Sequence, residues 1–346
     1  MNTRRQIIAA IIAITTLPAF AQEKPKKEVL NLFCWSEYVP DSVVKSFSKE
    51  TGIKVNVENY PSNETMLAKL QAGGKYDLIQ PSEYVVESLI KQGALAELNM
   101  ANIPNFKNLD PKYLKLAHDP ENKFSVPWMA GSVGIVVNTA KVKDEVKGLK
   151  DVFSGKYKKK IVTLDDNREI VSWALSTLGL PINDITAESL EKAKPVIKGW
   201  LPQIKAYDSD SPKDKFKSGE AVIGVVWSGE AAILWRDTKG SGKYKYVLPE
   251  EGTHLFIDSL CIPKAAPHKE AAEKFINYIL RPEVSKLISK DFPYTNPNAE
   301  ARKLLTKPEL ANPASYPTGE PKMEIFKDIG KAAGDIDKMM TDLRSQ

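Results

Sequence analysis

Asp258 lies in an otherwise apolar run, between Phe256-Ile257 and Leu260. A carboxylate in such a place must find a hydrogen-bonding or cationic partner, because burying it bare costs several kcal/mol. It is not an isolated case. Trp35, Ser36, Glu37 and Tyr38 follow one apolar run, and Ser82 and Tyr84 follow another. Asp165, Asp166, Arg168 and Glu169 follow a third, Trp227, Ser228 and Glu230 a fourth, and Tyr294 stands alone in a late loop. The recurring pair is an aromatic ring and a carboxylate. Aromatic faces attract cations by ~0.5–2 kcal/mol each, and carboxylates bind ammonium groups through charge-assisted hydrogen bonds. A cation stripped of water needs several such partners at once. The collection fits an elongated, multiply charged, partly apolar organic cation.

Each residue also has a structural reading. Trp35 and Trp227 can be core. Asp165 can cap the helix expected to begin near Arg168. Asp166 and Glu169 can pair with Arg168, and Glu230 in a first helical turn suits the helix dipole. Asp258 has the weakest structural explanation, and only the residues as a set point to a ligand.

The elements that position these residues are readable from periodicity. Val29–Phe33, Ile53–Val57 and Tyr76–Ile79 read as strands, alternating with helices over 41–51, 63–71 and 82–92. Further strands are expected from Gly134 onward and over 160–164, 221–226, 244–248 and 255–262. Further helices are expected over 170–178, 186–194, 229–236, 269–280, 282–290 and 323–343, with Pro195 stopping or kinking the second of these. Strands alternating with helices make an α/β protein with a largely parallel sheet. In such folds ligands bind beyond the carboxyl ends of strands, where the aromatic and acidic residues fall.

Composition narrows the class. At 346 residues the chain is long enough for about two domains, and 49 basic against 44 acidic residues leave a net charge of only +5, without a nucleic-acid footprint. Attraction for a cation must therefore be local. Two cysteines and three dispersed histidines make no zinc site and imply no metal or cofactor. Arg4 and Arg5, the apolar run Ile7–Leu17, Pro18 and Ala19-Phe20-Ala21 form a secretory signal, expected to be cut after Ala21. No lipid-accepting cysteine follows it. The expected location is the periplasm, as a soluble protein. The exported compartment permits a Cys34–Cys261 disulfide without requiring one.

Trp35-Ser36-Glu37-Tyr38-Val39-Pro40, Lys49-Glu50-Thr51-Gly52-Ile53-Lys54-Val55 and Ser62-Asn63-Glu64-Thr65 resemble the periplasmic spermidine/putrescine-binding proteins of polyamine ABC transporters. So do Asp77-Leu78-Ile79-Gln80-Pro81-Ser82, Asn108-Leu109-Asp110-Pro111 and Asp258-Ser259-Leu260. The resemblance runs in order from about residue 28 to about 340. It implies a two-lobe α/β periplasmic binding protein, type II-like, with a ligand cleft between lobes. The first lobe is expected at 28–134 with 257–300, and the second at 135–256 with 301–346. It implies a monomer that delivers its polyamine to a permease in the inner membrane.

Carried over position by position, the resemblance makes Trp35, Tyr38, Trp227 and Phe256 the aromatic wall. Ser36, Ser82, Tyr84 and Tyr294 become polar or ring contacts, and Asp258 the amine-binding acid. Asp166 and Glu169 match second-lobe carboxylates of spermidine-preferring members. Glu37 and Glu230 are further amine partners. Phe256 and Glu230 resemble putrescine-preferring members instead, and Ile325-Phe326-Lys327 lacks the Gln of spermidine-preferring ones. Spermidine is slightly favoured over putrescine. The competing readings are a binder of another organic cation, a polyamine sensor, or a secreted hydrolase using Asp166 and Glu169 as acid and base. The hydrolase has little support, because no G-x-S-x-G, H-E-x-x-H or Walker pattern occurs.

Overall fold

The computed structural model describes residues 28–319 and 321–345. The expected signal segment lies outside these residues. The chain begins with β1 (Val29–Trp35), α1 (Asp41–Thr51), β2 (Lys54–Tyr60), α2 (Asn63–Gln71), β3 (Leu78–Ile79) and α3 (Glu83–Lys91). β1 pairs in parallel with both β2 and β3. α1 forms because Val43 and Phe47 share one buried face, and it stops at Gly52, whose φ of 74° is left-handed. α2 starts where the Ser62 side chain accepts the Thr65 N–H at 3.1 Å.

A long strand follows, β4 (Ser125–Asn138), buried along its whole length. Then come α4 (Leu149–Val152), β5 (Ile161–Thr163), α5 (Asn167–Thr177), α6 (Ala187–Trp200), β6 (Ile204–Tyr207), α7 (Pro212–Ser218), β7 (Ile223–Trp227), α8 (Ser228–Asp237) and β8 (Tyr244–Val247). β9 (Thr253–Cys261) returns to the first part of the chain, followed by α9 (Lys269–Ile279), α10 (Pro282–Asp291), α11 (Ala299–Arg302), α12 (Lys307–Leu310), β10 (Met323–Glu324) and α13 (Ala332–Arg344).

The strand order β2-β1-β3-β9-β4-β7-β5-β6 shows how the two lobes are joined. β4 pairs antiparallel with β9 through Ser125–Ser132, then with β7 and β8 from Val133 onward. One strand thus belongs to both lobes. Its register slips between Pro127 and Met129, where the proline has no N–H to give the ladder. The first lobe packs around Leu30, Leu32, Phe47, Phe275 and Ile276. The second packs around Ile135, Ile161, Trp173, Ile197 and Met340.

Several expectations are corrected. The stretch 323–343 is not one helix. Met323 and Glu324 pair with Thr253 and His254, and the helix begins only at Ala332, after a left-handed turn at Gly330. Pro195 does not stop its helix. α6 runs on to Trp200, because Ala193, Ile197 and Trp200 bury against the second core. Asp166, not Asp165, caps α5, accepting the Glu169 N–H at 3.0 Å. β6 and α7 are additional elements. β6 buries only Ile204, so it carries no strong alternation. Cys34 and Cys261, for which a disulfide is permitted but not required, are by contrast in keeping with the sequence: both are free, buried thiols. They sit on β1 and β9 with β3 between them, and burial pushes the Cys34 thiol up to about 12.

Candidate functional site

β9 holds the centre of the site. His254, Phe256 and Asp258 alternate along it and so share one face of the strand. Asp258 is buried, and its two oxygens accept hydrogen bonds from the Tyr38 hydroxyl at 2.6 Å and the Ser82 hydroxyl at 2.7 Å. Neither donor carries charge. Burial therefore dominates and pushes the carboxyl up to about 7, although both hydrogen bonds work the other way. Ser82 is itself held by Asn63, whose amide also donates to the Tyr84 hydroxyl at 2.9 Å. Tyr38, Ser82, Tyr84 and Asp258 thus form one network, drawn from the segments after β1 and β3 and from the middle of β9, and among the described residues no cation makes a hydrogen bond or ion pair with the acid.

Aromatic rings surround this acid. Tyr38 lies 5.1 Å from Tyr294, Tyr294 lies 6.0 Å from Phe256, and Phe256 meets Trp227 edge-on at 5.4 Å. Trp227 donates its indole N–H to the Ser209 carbonyl at 3.1 Å, which fixes the ring plane. Trp35 packs on Tyr60 at 4.7 Å and belongs to the same side of the molecule as Tyr38. Two glycines permit the close packing. A Cβ on Gly229 would stand 2.2 Å from the Tyr294 ring, and one on Gly131 would stand 2.3 Å from Phe256. An alanine at either position would push the ring aside.

The second-lobe acids have different surroundings. Asp166 spends one oxygen on the α5 cap, and burial followed by the nearby charge of Glu169 pushes it up to about 7. Glu169 faces away from solvent and binds His254 Nδ1 at 2.6 Å, while its other oxygen accepts the Trp173 indole N–H at 3.2 Å. His254 Nε2 binds Glu83 at 2.9 Å, and Glu83 also accepts the Ile257 N–H at 2.9 Å. The imidazole stacks on Phe326 at 3.7 Å. Burial alone would depress its pKa, but Glu169 and Glu83 outweigh this and raise it to about 10, so the ring stays charged. Glu169 already has its cation within the protein.

Glu37 and Glu230 also meet a resident cation. Lys213 on α7 places its ammonium 3.1 Å from Glu37 and 3.1 Å from Glu230. Glu37 holds a left-handed φ of 54°, uncommon for a residue with a side chain, and this turn aims its carboxylate across to the second lobe. Ser36 donates to Asp210 at 2.6 Å nearby, and Arg168 lies over the Tyr84 ring at 5.4 Å. Elements of the two lobes are therefore in contact around the junction.

The structure brings Tyr38, Ser82, Phe256, Asp258, Tyr294 and Trp227 into one neighbourhood, with Tyr84 joined to it through Asn63. Glu37 and Glu230 gather around Lys213, Ser36 turns to Asp210, and Glu169 turns to His254. His254, Glu83, Asn63 and Lys213 were not singled out from sequence. The alternation 254, 256, 258 was the signal for His254. Asn63 stood in a stretch that carries the family resemblance but without a role, and Glu83 and Lys213 had no signal, since the importance of all three comes from partners more than 15 residues away.

A junction between two α/β lobes, crossed by shared strands and lined from both sides by rings and acids, defines a binding protein for a small solute. Residues 42–318 match the family of bacterial extracellular solute-binding proteins, and the chain belongs to it. It is 36% identical over 337 residues to the spermidine/putrescine-binding periplasmic protein of Escherichia coli (strain K12), spanning 96% of this chain and 95% of that one. It is 32% identical over 336 residues to a putrescine/agmatine-binding protein of Pseudomonas aeruginosa, spanning 92% of each. A solved structure described as a putative spermidine/putrescine ABC transporter from Listeria monocytogenes superposes with a TM-score of 0.86 at 30% identity, covering 92% of this chain and 99% of that one. Among the described residues no helix is long and apolar enough to cross a membrane.

Proposed function

We propose that this protein captures a polyamine outside the inner membrane and delivers it to an ABC permease, with spermidine slightly favoured over putrescine. The observation that carries the reading is Asp258, a buried carboxylate whose hydrogen-bond donors among the described residues are two neutral hydroxyls, walled by Tyr38, Tyr294, Phe256 and Trp227. An ammonium group supplies the missing charge, and the methylenes of a polyamine match the rings. Asp166, also raised by burial, takes a second amine from the other lobe. The likeness to curated polyamine-binding proteins over nearly the whole chain supports the same reading.

The lobes are 28–134 with 257–300 and 135–256 with 301–346, and β4 and β9 form the hinge between them. Ligand drives closure because it binds the closed arrangement better than the open one. The closed surface is what the permease reads. Export is directed by residues 1–21, with cleavage after Ala21, and the mature protein works as a periplasmic monomer. It performs no catalysis.

Calorimetric titration of the mature protein with spermidine, then putrescine, tests the proposal, with glutamate as a control. One-to-one binding of an amine at micromolar or tighter affinity is expected, without heat from glutamate. Folded, ligand-free protein that ignores both amines would show that the site serves another solute. Trp227→Ala should weaken spermidine binding by about 1 kcal/mol, the loss of one ring face against a cation or methylene chain. An unchanged Kd in that titration would remove Trp227 from the site.

A further inference from the structure

Lys213 is nine-tenths buried, and its ammonium stands within 3.1–3.2 Å of all four oxygens of Glu37 and Glu230. Its backbone N–H also donates to Glu230 at 3.3 Å. The two carboxylates come from different lobes, Glu37 from the turn after β1 and Glu230 from the first turn of α8. Only the ammonium between them makes their approach favourable. The cluster adjoins the aromatic wall, because Gly229 beside Glu230 packs directly on the Tyr294 ring. The charges of Glu230, Asp258 and Glu37 all act on the Tyr294 hydroxyl, whose pKa burial, first, and then these acids raise. Tyr294 therefore has Asp258 as one acidic neighbour and the Glu37–Lys213–Glu230 cluster as another.

We propose that Lys213 is a built-in ammonium that takes the place of one amine of a longer ligand, and so limits how many charges the cleft accepts. This rests on the polyamine reading above. With Lys213 in place, the protein itself supplies a cation to the Glu37–Glu230 pair, and a diamine can bind at Asp258 and Asp166 without having to reach it. Without Lys213, closing the lobes brings Glu37 and Glu230 together with no cation between them, and Glu230, which burial already pushes up to about 7, must take up either a proton or a ligand ammonium. A diamine spanning only the first two acids leaves that cost intact. A triamine has one more ammonium to place between them. Lys213 thus favours short polyamines relative to long ones, opposing the preference that Asp166 and Glu169 suggest.

The test is a comparison of Kd values for putrescine and spermidine in the wild-type protein, Lys213→Ala and Lys213→Arg. In Lys213→Ala the spermidine-to-putrescine affinity ratio is expected to rise by about tenfold or more. Spermidine should also raise the melting temperature of that variant more than putrescine does. Lys213→Arg keeps the charge and should stay near the wild-type ratio. Should Lys213→Ala not fold, Lys213→Gln, which keeps a polar group without the charge, is expected to move the ratio the same way. A ratio that stays constant in the folded neutral variant, or shifts toward putrescine, overturns the role given to Lys213. Wild-type protein that binds neither amine refutes the polyamine reading itself, so the two failures are distinct.

Discussion

Asp258→Asn should weaken spermidine binding by ~2–4 kcal/mol, or roughly thirty- to a thousandfold, while leaving the fold intact. The substitution is nearly isosteric. It keeps an oxygen to accept from Tyr38 or Ser82 and removes only the charge that meets the ammonium. Stability of the unliganded protein should not fall, because a buried carboxylate supported by neutral donors alone is costly to ionise. Calorimetry and a thermal melt on the same sample separate the two effects. Unchanged affinity in a folded variant would remove Asp258 from the ligand site.

The same carboxylate makes binding pH-dependent. Burial holds Asp258, and equally Asp166, up near 7 without ligand. A bound ammonium requires the charged form, so below pH 7 binding must first release a proton. Affinity should therefore fall with falling pH, by up to about tenfold per unit for each carboxylate the ligand ionises. The stability term has a matching sign. A carboxyl raised in the folded state stabilises the unliganded protein at low pH, and that contribution is lost as pH rises through 7. Ligand should consequently raise the melting temperature more at pH 8 than at pH 5.5. Asp258→Asn should flatten both trends, and a slope as steep as the wild type's would assign the titration elsewhere.

His254→Leu should destabilise the protein by ~3–5 kcal/mol, because it leaves Glu83 and Glu169 buried face to face without their shared cation. Denaturant unfolding measures this directly. Leucine fills much of the space against Phe326, so loss of charge outweighs loss of volume. The pH signature is specific. Folded His254 titrates near 10 against an ordinary value near 6.5, so its contribution is complete below about 6.5 and fades as pH rises toward 10. The wild type should lose stability across that window, and the variant should lose far less. A variant as stable as the wild type, with the same alkaline slope, would mean that the two carboxylates are relieved by another group.

Both large effects sit on β9, and they differ in how they were found. Asp258 was legible because one carboxylate interrupts an apolar run, and local composition alone forces the question of its partner. The α/β alternation was legible for a related reason, since burial of one helix face or of whole strands leaves a periodic trace in Val43, Phe47 or Leu30–Phe33. The aromatic set was legible as a collection at strand ends. Elements that depend on distant partners were not. Met323 and Glu324 become a strand only because the start of β9 offers them a free edge, and α6 passes through Pro195 because the second core holds its last turns.

The acids show the same division. Sequence placed Glu37, Asp166, Glu169 and Glu230 at strand ends and helix starts, where a cation can reach them, and Asp258 inside an apolar strand. It said nothing of which already had one. Glu169 is paired by His254 from β9, and Glu37 and Glu230 by Lys213 from α7, contacts that span from 17 to 176 residues of chain. Residue type and spacing determine that a carboxylate exists and which element carries it. Whether it remains uncompensated depends on groups brought together from both lobes, and that balance of burial against neighbouring charge exists only once the chain is folded.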